Sequence, residues 1–230
     1  MNASDINIDK LNQLFENSDA GTVLHWTIKE YKQDLAMSTG FGVSGIVLMH
    51  HISLIDPRTN IFYLDTGLLF DETYKLIDQL EEQLGIHLTR VRTDVPLDEQ
   101  ARLYGEKLWE TDPDTCCHIR KVLPLQRYLK DKKAWVTGIR RDQSASRRNT
   151  PVFQWNESNQ VVKINPLAGW TEEEVWSYVK RHSLPYNELH ERGYTSIGCF
   201  PCTRPAKQGG DLRSGRWAGT MKTECGLHRN

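Results

Sequence analysis

Short apolar runs alternate with helix-like stretches along this chain, and that alternation constrains the fold more than any other feature. Residues 34–37, 61–64, 87–91, 134–138 and 161–164 read as strands. Apolar runs this short and this continuous fit strands buried on both faces. Between them, residues 46–55 read as a buried helix, and 70–84 as an amphipathic helix that Gly85 ends. Thr171-Glu172-Glu173-Glu174 is a capping box opening a helix through Arg181. Residues 6–15 and 20–31 carry apolar side chains at helical spacing. The pattern predicts an α/β fold, a parallel sheet with helices on both faces. From Leu184 onward Pro, Gly and polar residues dominate, so a loop-rich tail is expected, ordered by tertiary or metal contacts. The expectation is one domain over 1–230, with a helical lead-in (1–33), an α/β core (34–183) and the tail (184–230).

The 29 Lys and Arg against 30 Asp and Glu leave a net charge of −1, which argues against non-specific nucleic-acid binding. The first fourteen residues lack a basic stretch followed by an apolar run, so no signal peptide is expected. The longest apolar stretch, 45–55, is broken by His50, His51 and Ser53 and is too short to span a bilayer. A cytoplasmic protein without membrane partners follows. In a reducing compartment, cysteines serve more often as ligands or catalysts than as disulfides.

The five cysteines fall as Cys116-Cys117, Cys199-x-x-Cys202 and a lone Cys225. The CxxC turn, shaped by Gly198 and Pro201, has the spacing of a metal knuckle. Adjacent side chains diverge in regular structure, so using both members of the doublet requires a local backbone distortion. Zinc and an iron–sulfur cluster both accept four thiolates. Cys225, left over, is the candidate nucleophile, with arginines, Lys222 or His228 favouring its thiolate.

Two further features point to an anionic ligand. The small-residue loop 38–45 follows a strand and precedes a helix, where backbone N–H groups meet phosphates, although it is neither Walker A nor G-x-G-x-x-G. Arg140, Arg141, Arg147 and Arg148 follow the fourth predicted strand, and Lys207, Arg213 and Arg216 add cations in the tail, near a hinge-like Gly209-Gly210 pair. The guanidinium fork suits phosphate and sulfate.

Six pieces together resemble the assimilatory sulfonucleotide reductases: Ser38-Thr39-Gly40-Phe41-Gly42, Leu64-Asp65-Thr66-Gly67, Cys116-Cys117-His118-Ile119-Arg120-Lys121, Gly138-Ile139-Arg140-Arg141-Asp142-Gln143-Ser144, Gly198-Cys199-Phe200-Pro201-Cys202 and Glu224-Cys225-Gly226-Leu227-His228. The resemblance runs from about Asp34 to His228. It implies an adenine-nucleotide hydrolase-like fold with a modified pyrophosphate loop. It implies a [4Fe-4S] cluster on Cys116, Cys117, Cys199 and Cys202. It further implies attack by Cys225 on an adenylated sulfate, with thioredoxin or glutaredoxin releasing sulfite from the Cys225 thiosulfonate. By the same resemblance Ser38, Thr39, Gly40, Asp65 and Thr66 lie along the nucleotide, Lys121 couples cluster to substrate, and Arg148, Arg213, Arg216 and His228 bind phosphate and sulfate. Cluster-bearing members mostly use adenosine 5′-phosphosulfate, the substrate favoured here. Val43-Ser44-Gly45 stands where that branch often has an acidic pair, so the 3′-phosphorylated substrate, or both, is the alternative. A tRNA-thiolating ATP pyrophosphatase shares the fold but should carry a Ser-Gly-Gly-x-Asp-Ser loop, and a non-catalytic zinc module would leave Cys225 and the arginines without a role. Self-association is left open.

Overall fold

The structure, a computed structural model, describes residues 7–206, 212–220, 222 and 224–228. Ile6, Lys207 and the Gly209-Gly210 pair lie outside the described residues. Two helices lead in, α1 (Ile8–Phe15) and α2 (Ala20–Tyr31). The core then alternates β1 (Leu35–Thr39), α3 (Val43–Ile55), β2 (Ile61–Asp65), α4 (Asp71–Leu84) and β3 (Leu88–Arg92). Three short helices follow, α5 (Leu97–Tyr104), α6 (Leu108–Thr111) and α7 (Pro113–Cys117), and then α8 (Leu123–Leu129). Strands β4 (Ala134–Val136), β5 (Phe153–Asn156) and β6 (Val161–Ile164) and helix α9 (Glu172–Arg181) complete the α-helices and strands among the described residues.

The strands form one six-stranded sheet in the order β3-β2-β1-β4-β6-β5. All neighbours are parallel except β5, which pairs antiparallel with β6. Strand alternation explains the apolar runs. Leu35, Met37, Ile61, Tyr63, Val136 and Ile164 belong to a core shared with α2, α3, α4 and α9. Ala36, Phe62, Trp135 and Val161 face the other way, against Leu125 and Leu129 of α8 and Leu227 of the tail. Each fully buried Leu, Ile or Phe contributes about 1.5–3 kcal/mol, so two apolar faces fix the register firmly.

Two observations extend the expected pattern. The edge strand β5 was not among the strands anticipated. Its outward backbone is taken by the Asn12 carboxamide of α1, which donates to Phe153 O at 2.8 Å and accepts from Phe153 N–H at 2.9 Å. The predicted loop 38–45 shortens to residues 40–42, because Ser38 and Thr39 complete β1 and α3 begins at Val43. Beyond Leu184 the described residues form only 3₁₀ turns and isolated bridges, Leu69 with Cys199 and Thr203 with Arg216. No helix among the described residues is long and apolar enough to cross a membrane.

Candidate active site

Strand β1 has β2 on one side and β4 on the other, so the chain reverses its direction of travel across the sheet between them. Open α/β sheets bind ligands outside the carboxyl ends of the strands at this point. A cleft lies there, walled by residues 38–45, the loop after β4 and the tail.

The loop after β1 is tightly built. Phe41 takes a left-handed backbone (φ 59°), and its N–H donates to Thr39 Oγ1 at 3.0 Å. Ser38 Oγ accepts from Trp135 Nε1 at 2.8 Å. Gly42 is the N-cap of α3 and supplies no side-chain cap, so the first N–H groups of the helix remain available to an anion. Gly45 is required by close approach, since a Cβ there would lie 2.6 Å from Thr39 Oγ1. Arg140, buried, ties the second wall to the first. It donates to Ser44 Oγ and pairs with Asp142 (3.0 Å) and with Glu172 of α9.

The tail supplies the third wall. Arg213, Arg216, Glu224, Cys225 and His228 all line the cleft, as do Lys121 and Cys199. Arg216 stacks over Trp217, its guanidinium carbon 4.6 Å from the ring centroid, and donates to Ser196 Oγ and Ile197 O at 3.4 Å. Its Nε is buried with no hydrogen-bond partner among the described residues. Gly198 admits it, because any Cβ there would collide with the guanidinium. His228 stacks on Trp135 with centroids 5.4 Å apart and planes 15° apart. Burial, then the charges of Lys163, Arg147 and Arg213, push its imidazole well below the usual histidine range, so the ring is neutral. Lys222 pairs with Asp114, on α7.

Beside the cleft, four thiols line one small cavity. Cys116, Cys117, Cys199 and Cys202 share it with Thr66, Arg120 and Lys121. None is in a disulfide. The doublet ends α7, and the next five residues (His118–Val122) wind as a π-helix, the backbone distortion that consecutive ligands require. Pro124 favours that widening, because its ring in a regular α-helix would strike the carbonyl of Arg120 four residues earlier. Arg120 is a structural bolt, donating to Thr66 O at 2.6 Å, Gln100 Oε1 at 3.0 Å and Val95 O at 3.2 Å.

Burial, reinforced by the neighbouring thiols, pushes Cys116 up to about 12 and Cys202 up to about 11. Cys199 differs. Burial would raise it as well, but Lys121, the 3.3 Å contact with Thr66 Oγ1 and Arg216 outweigh burial and lower it. Burial disfavours the Lys121 ammonium in turn, yet Cys199, Cys225 and Cys117 more than offset this and raise its pKa. Lys121 is thus the cation shared by the thiol cavity and the cleft. Among the described residues, no group of three or more His, Cys, Asp or Glu side chains meets the geometry of a single metal ion. Four unpaired thiols around one enclosed space, with two cations beside them, are the donor set that a tetrathiolate-bound group needs.

The cleft brings together Ser38, Thr39, Gly40, Thr66, Lys121, Arg213, Arg216, Cys225 and His228. It does not bring in Asp65 or Arg148. The Asp65 carboxylate is buried, accepting from Gly67 N–H (2.9 Å), Tyr74 Oη (2.7 Å), Arg90 and Arg92. Arg148 is exposed, and its neighbour Arg147 lines the wall instead. Arg147, Glu224 and Arg140, which ties two walls of the cleft together, are the side chains whose roles the sequence left unassigned. The Glu224-Cys225 adjacency was the available signal.

Comparison with known proteins fits this geometry. The profile of the phosphoadenosine phosphosulfate reductase domain matches residues 34–205. An adenosine 5′-phosphosulfate reductase of Salinibacter ruber is 51% identical over 219 residues, 95% of this chain and 87% of that protein. One from Bacillus cereus is 47% identical over 223 residues, 96% of this chain and 95% of that protein. The crystal structure of phosphoadenylyl-sulfate (PAPS) reductase from Candida auris, a phosphate complex, superposes with a TM-score of 0.77 at 31% identity, covering 86% of this chain and 96% of that one. Candida glabrata FMN adenylyltransferase (TM-score 0.61, 18% identity, 87% of this chain and 68% of that one) shares the fold alone.

Proposed function

Because this chain belongs to the phosphoadenosine phosphosulfate reductase domain family, we propose that it reduces adenosine 5′-phosphosulfate to sulfite and AMP, in the cytoplasm and with a thioredoxin-type dithiol as reductant. The observation that carries the reading is one cleft shared by Cys225, the open N-terminus of α3 and the cations Lys121, Arg213 and Arg216. The names of the relatives at 47–51% identity favour the nucleotide without a 3′-phosphate.

The steps balance as a two-stage transfer. The Cys225 thiolate attacks the sulfate sulfur, the bond from sulfur to the phosphate oxygen breaks, and AMP leaves with the electron pair. The product is a thiosulfonate, Cys225-S-SO₃⁻. A reductant thiolate then attacks Cys225 Sγ, sulfite departs, and the second reductant thiol resolves the mixed disulfide. Within this chain, Lys121 and Arg216 hold the negative charge of the transferring sulfate. The neutral His228 ring can donate or accept a single hydrogen bond at the nucleotide without adding charge. Residues 40–42 and the first turn of α3 hold the phosphate.

Cys116, Cys117, Cys199 and Cys202 would hold a [4Fe-4S] cluster. Bound there, it would join the doublet to the tail and place an anionic iron–sulfur group beside Lys121.

The second reading is reduction of the 3′-phosphorylated nucleotide. It is favoured by the Candida auris neighbour and by Val43, Ser44 and Gly45, which present no acidic side chain in the first turn of α3. Anaerobic sulfite release with thioredoxin and dithiothreitol, run on both nucleotides with iron quantified, decides between them. Turnover of adenosine 5′-phosphosulfate alone, on protein with about four irons per chain, is expected. Comparable rates with both would establish a dual enzyme, and sulfite from neither would overturn the reading.

A further inference from the structure

The residue before Cys225 spans two parts of the molecule. Glu224 Oε1 and Oε2 accept from Arg147 Nη2 at 2.9 and 3.0 Å, and Oε2 also accepts from Arg213 Nη2 at 3.0 Å. Arg147 belongs to the core, in the 3₁₀ turn Ala145–Arg147 that follows β4, where its Nη1 is held by Gln143 Oε1 at 2.5 Å. Arg213 belongs to the tail. The three side chains are only 12% (Arg147), 17% (Arg213) and 27% (Glu224) exposed, so solvent screens the bridge far less than it screens a surface pair. One carboxylate oxygen serves two guanidinium groups, which carry like charges and would repel each other without it. On the far side of Cys225, Leu227 packs with the core beneath the sheet and His228 stacks on Trp135. The cysteine is therefore suspended between an ionic anchor and an apolar one.

We propose that Glu224 is a positioning residue, a carboxylate latch that seats Cys225 over the cleft by bridging Arg147 of the core to Arg213 of the tail. This rests on reading Cys225 as the nucleophile. The latch needs charge and not merely shape. An amide in the same place would turn an NH₂ group toward one of the guanidiniums, donor against donor, and the tail would lift. The apolar anchor at Leu227 and His228 would remain, so the segment would lose its seat over the cleft while the fold persisted.

The test follows iodoacetamide alkylation of Cys225 in nucleotide-free wild type, Glu224→Gln, Glu224→Asp and Arg147→Gln, with peptide mass spectrometry separating Cys225 from the other four thiols. Kinetics of sulfite release are measured for wild type and both Glu224 variants. Glu224→Gln is expected to alkylate about tenfold faster and to lose about tenfold in kcat with KM within about threefold, the signature of a misplaced reacting group rather than a lost binding contact. Glu224→Asp should recover part of both. Arg147→Gln should show the same faster alkylation and covers the case in which Glu224→Gln fails to fold. Wild-type alkylation in Glu224→Gln, or in Arg147→Gln, overturns the latch, as does an unchanged kcat in Glu224→Gln. Sulfite from neither nucleotide with wild type would overturn the reading of Cys225 instead, and the alkylation rates would still decide the latch.

Discussion

Lys163 stands in the middle of β6 with 1% of its surface exposed, its ammonium 5.4 Å from the centroid of Trp135. Burial, then Arg147, hold its pKa down to about 8, against an opposing pull from Glu224. Below about 8 the folded chain must carry a buried charge that the unfolded chain carries in water at no cost. As pH rises from 8 towards the ordinary lysine value, the folded form sheds the proton first, and stability increases across that window. Lys163→Met is therefore expected to raise stability at pH 7 by about 1–3 kcal/mol and to flatten the climb between roughly pH 8 and 10. Urea unfolding at several pH values measures both, and an unaltered pH slope in the variant would contradict the assignment. Asp65 illustrates the opposite arrangement. Its burial would raise the carboxyl, but hydrogen bonds from Tyr74, Gly67, Arg90 and Arg92 outweigh burial and lower it. That network is what the side chain faces.

Among elements, α9 was the most completely legible. Thr171 Oγ1 accepts from Glu174 N–H at 3.2 Å, and Glu174 Oε2 accepts from Thr171 N–H at 2.7 Å, the reciprocal pair that the spacing implied. Thr171→Ala should cost about 1 kcal/mol of stability, read by denaturant unfolding; a loss below a few tenths would show the cap to be redundant. The inner parallel strands β1, β2, β4 and β6 were legible for a different reason, since both faces are buried and their apolar runs stand out from the polar helices around them. Strand β5 was not, because Phe153-Gln154-Trp155-Asn156 is short and only half-buried at its centre, and its place beside β6 comes from a hairpin rather than a crossover. The π-helical turn after Cys117 was anticipated as a need of the doublet but not as a form. For the site, the sequence named most of the side chains that converge on the cleft. It could not tell Arg147 from Arg148, because which of two adjacent arginines turns inward depends on the phase of a single 3₁₀ turn.

At the scale of the whole molecule, one topological reversal between β2 and β4 creates the cleft, and the tail crosses it to deliver Cys225. The thiol pairs come from opposite ends of this path, the doublet before α8 and the CxxC turn in the tail, so the cavity they share ties the last part of the chain to the core. The lead-in helix α1 lines neither the cleft nor the thiol cavity, and Asn12 defines what it does. Its carboxamide occupies the N–H and C=O of Phe153, two of the groups on the open side of β5 that another strand would use for pairing. Helix α1 thus ends the sheet in the way that charged or proline-bearing edges do elsewhere. Asn12→Ala, or removal of α1, should leave the cleft formed yet produce stronger concentration-dependent association in sedimentation runs than the intact chain shows. A sheet built for one nucleotide site would otherwise present a longer adhesive margin to its own copies, and one carboxamide closes its first step.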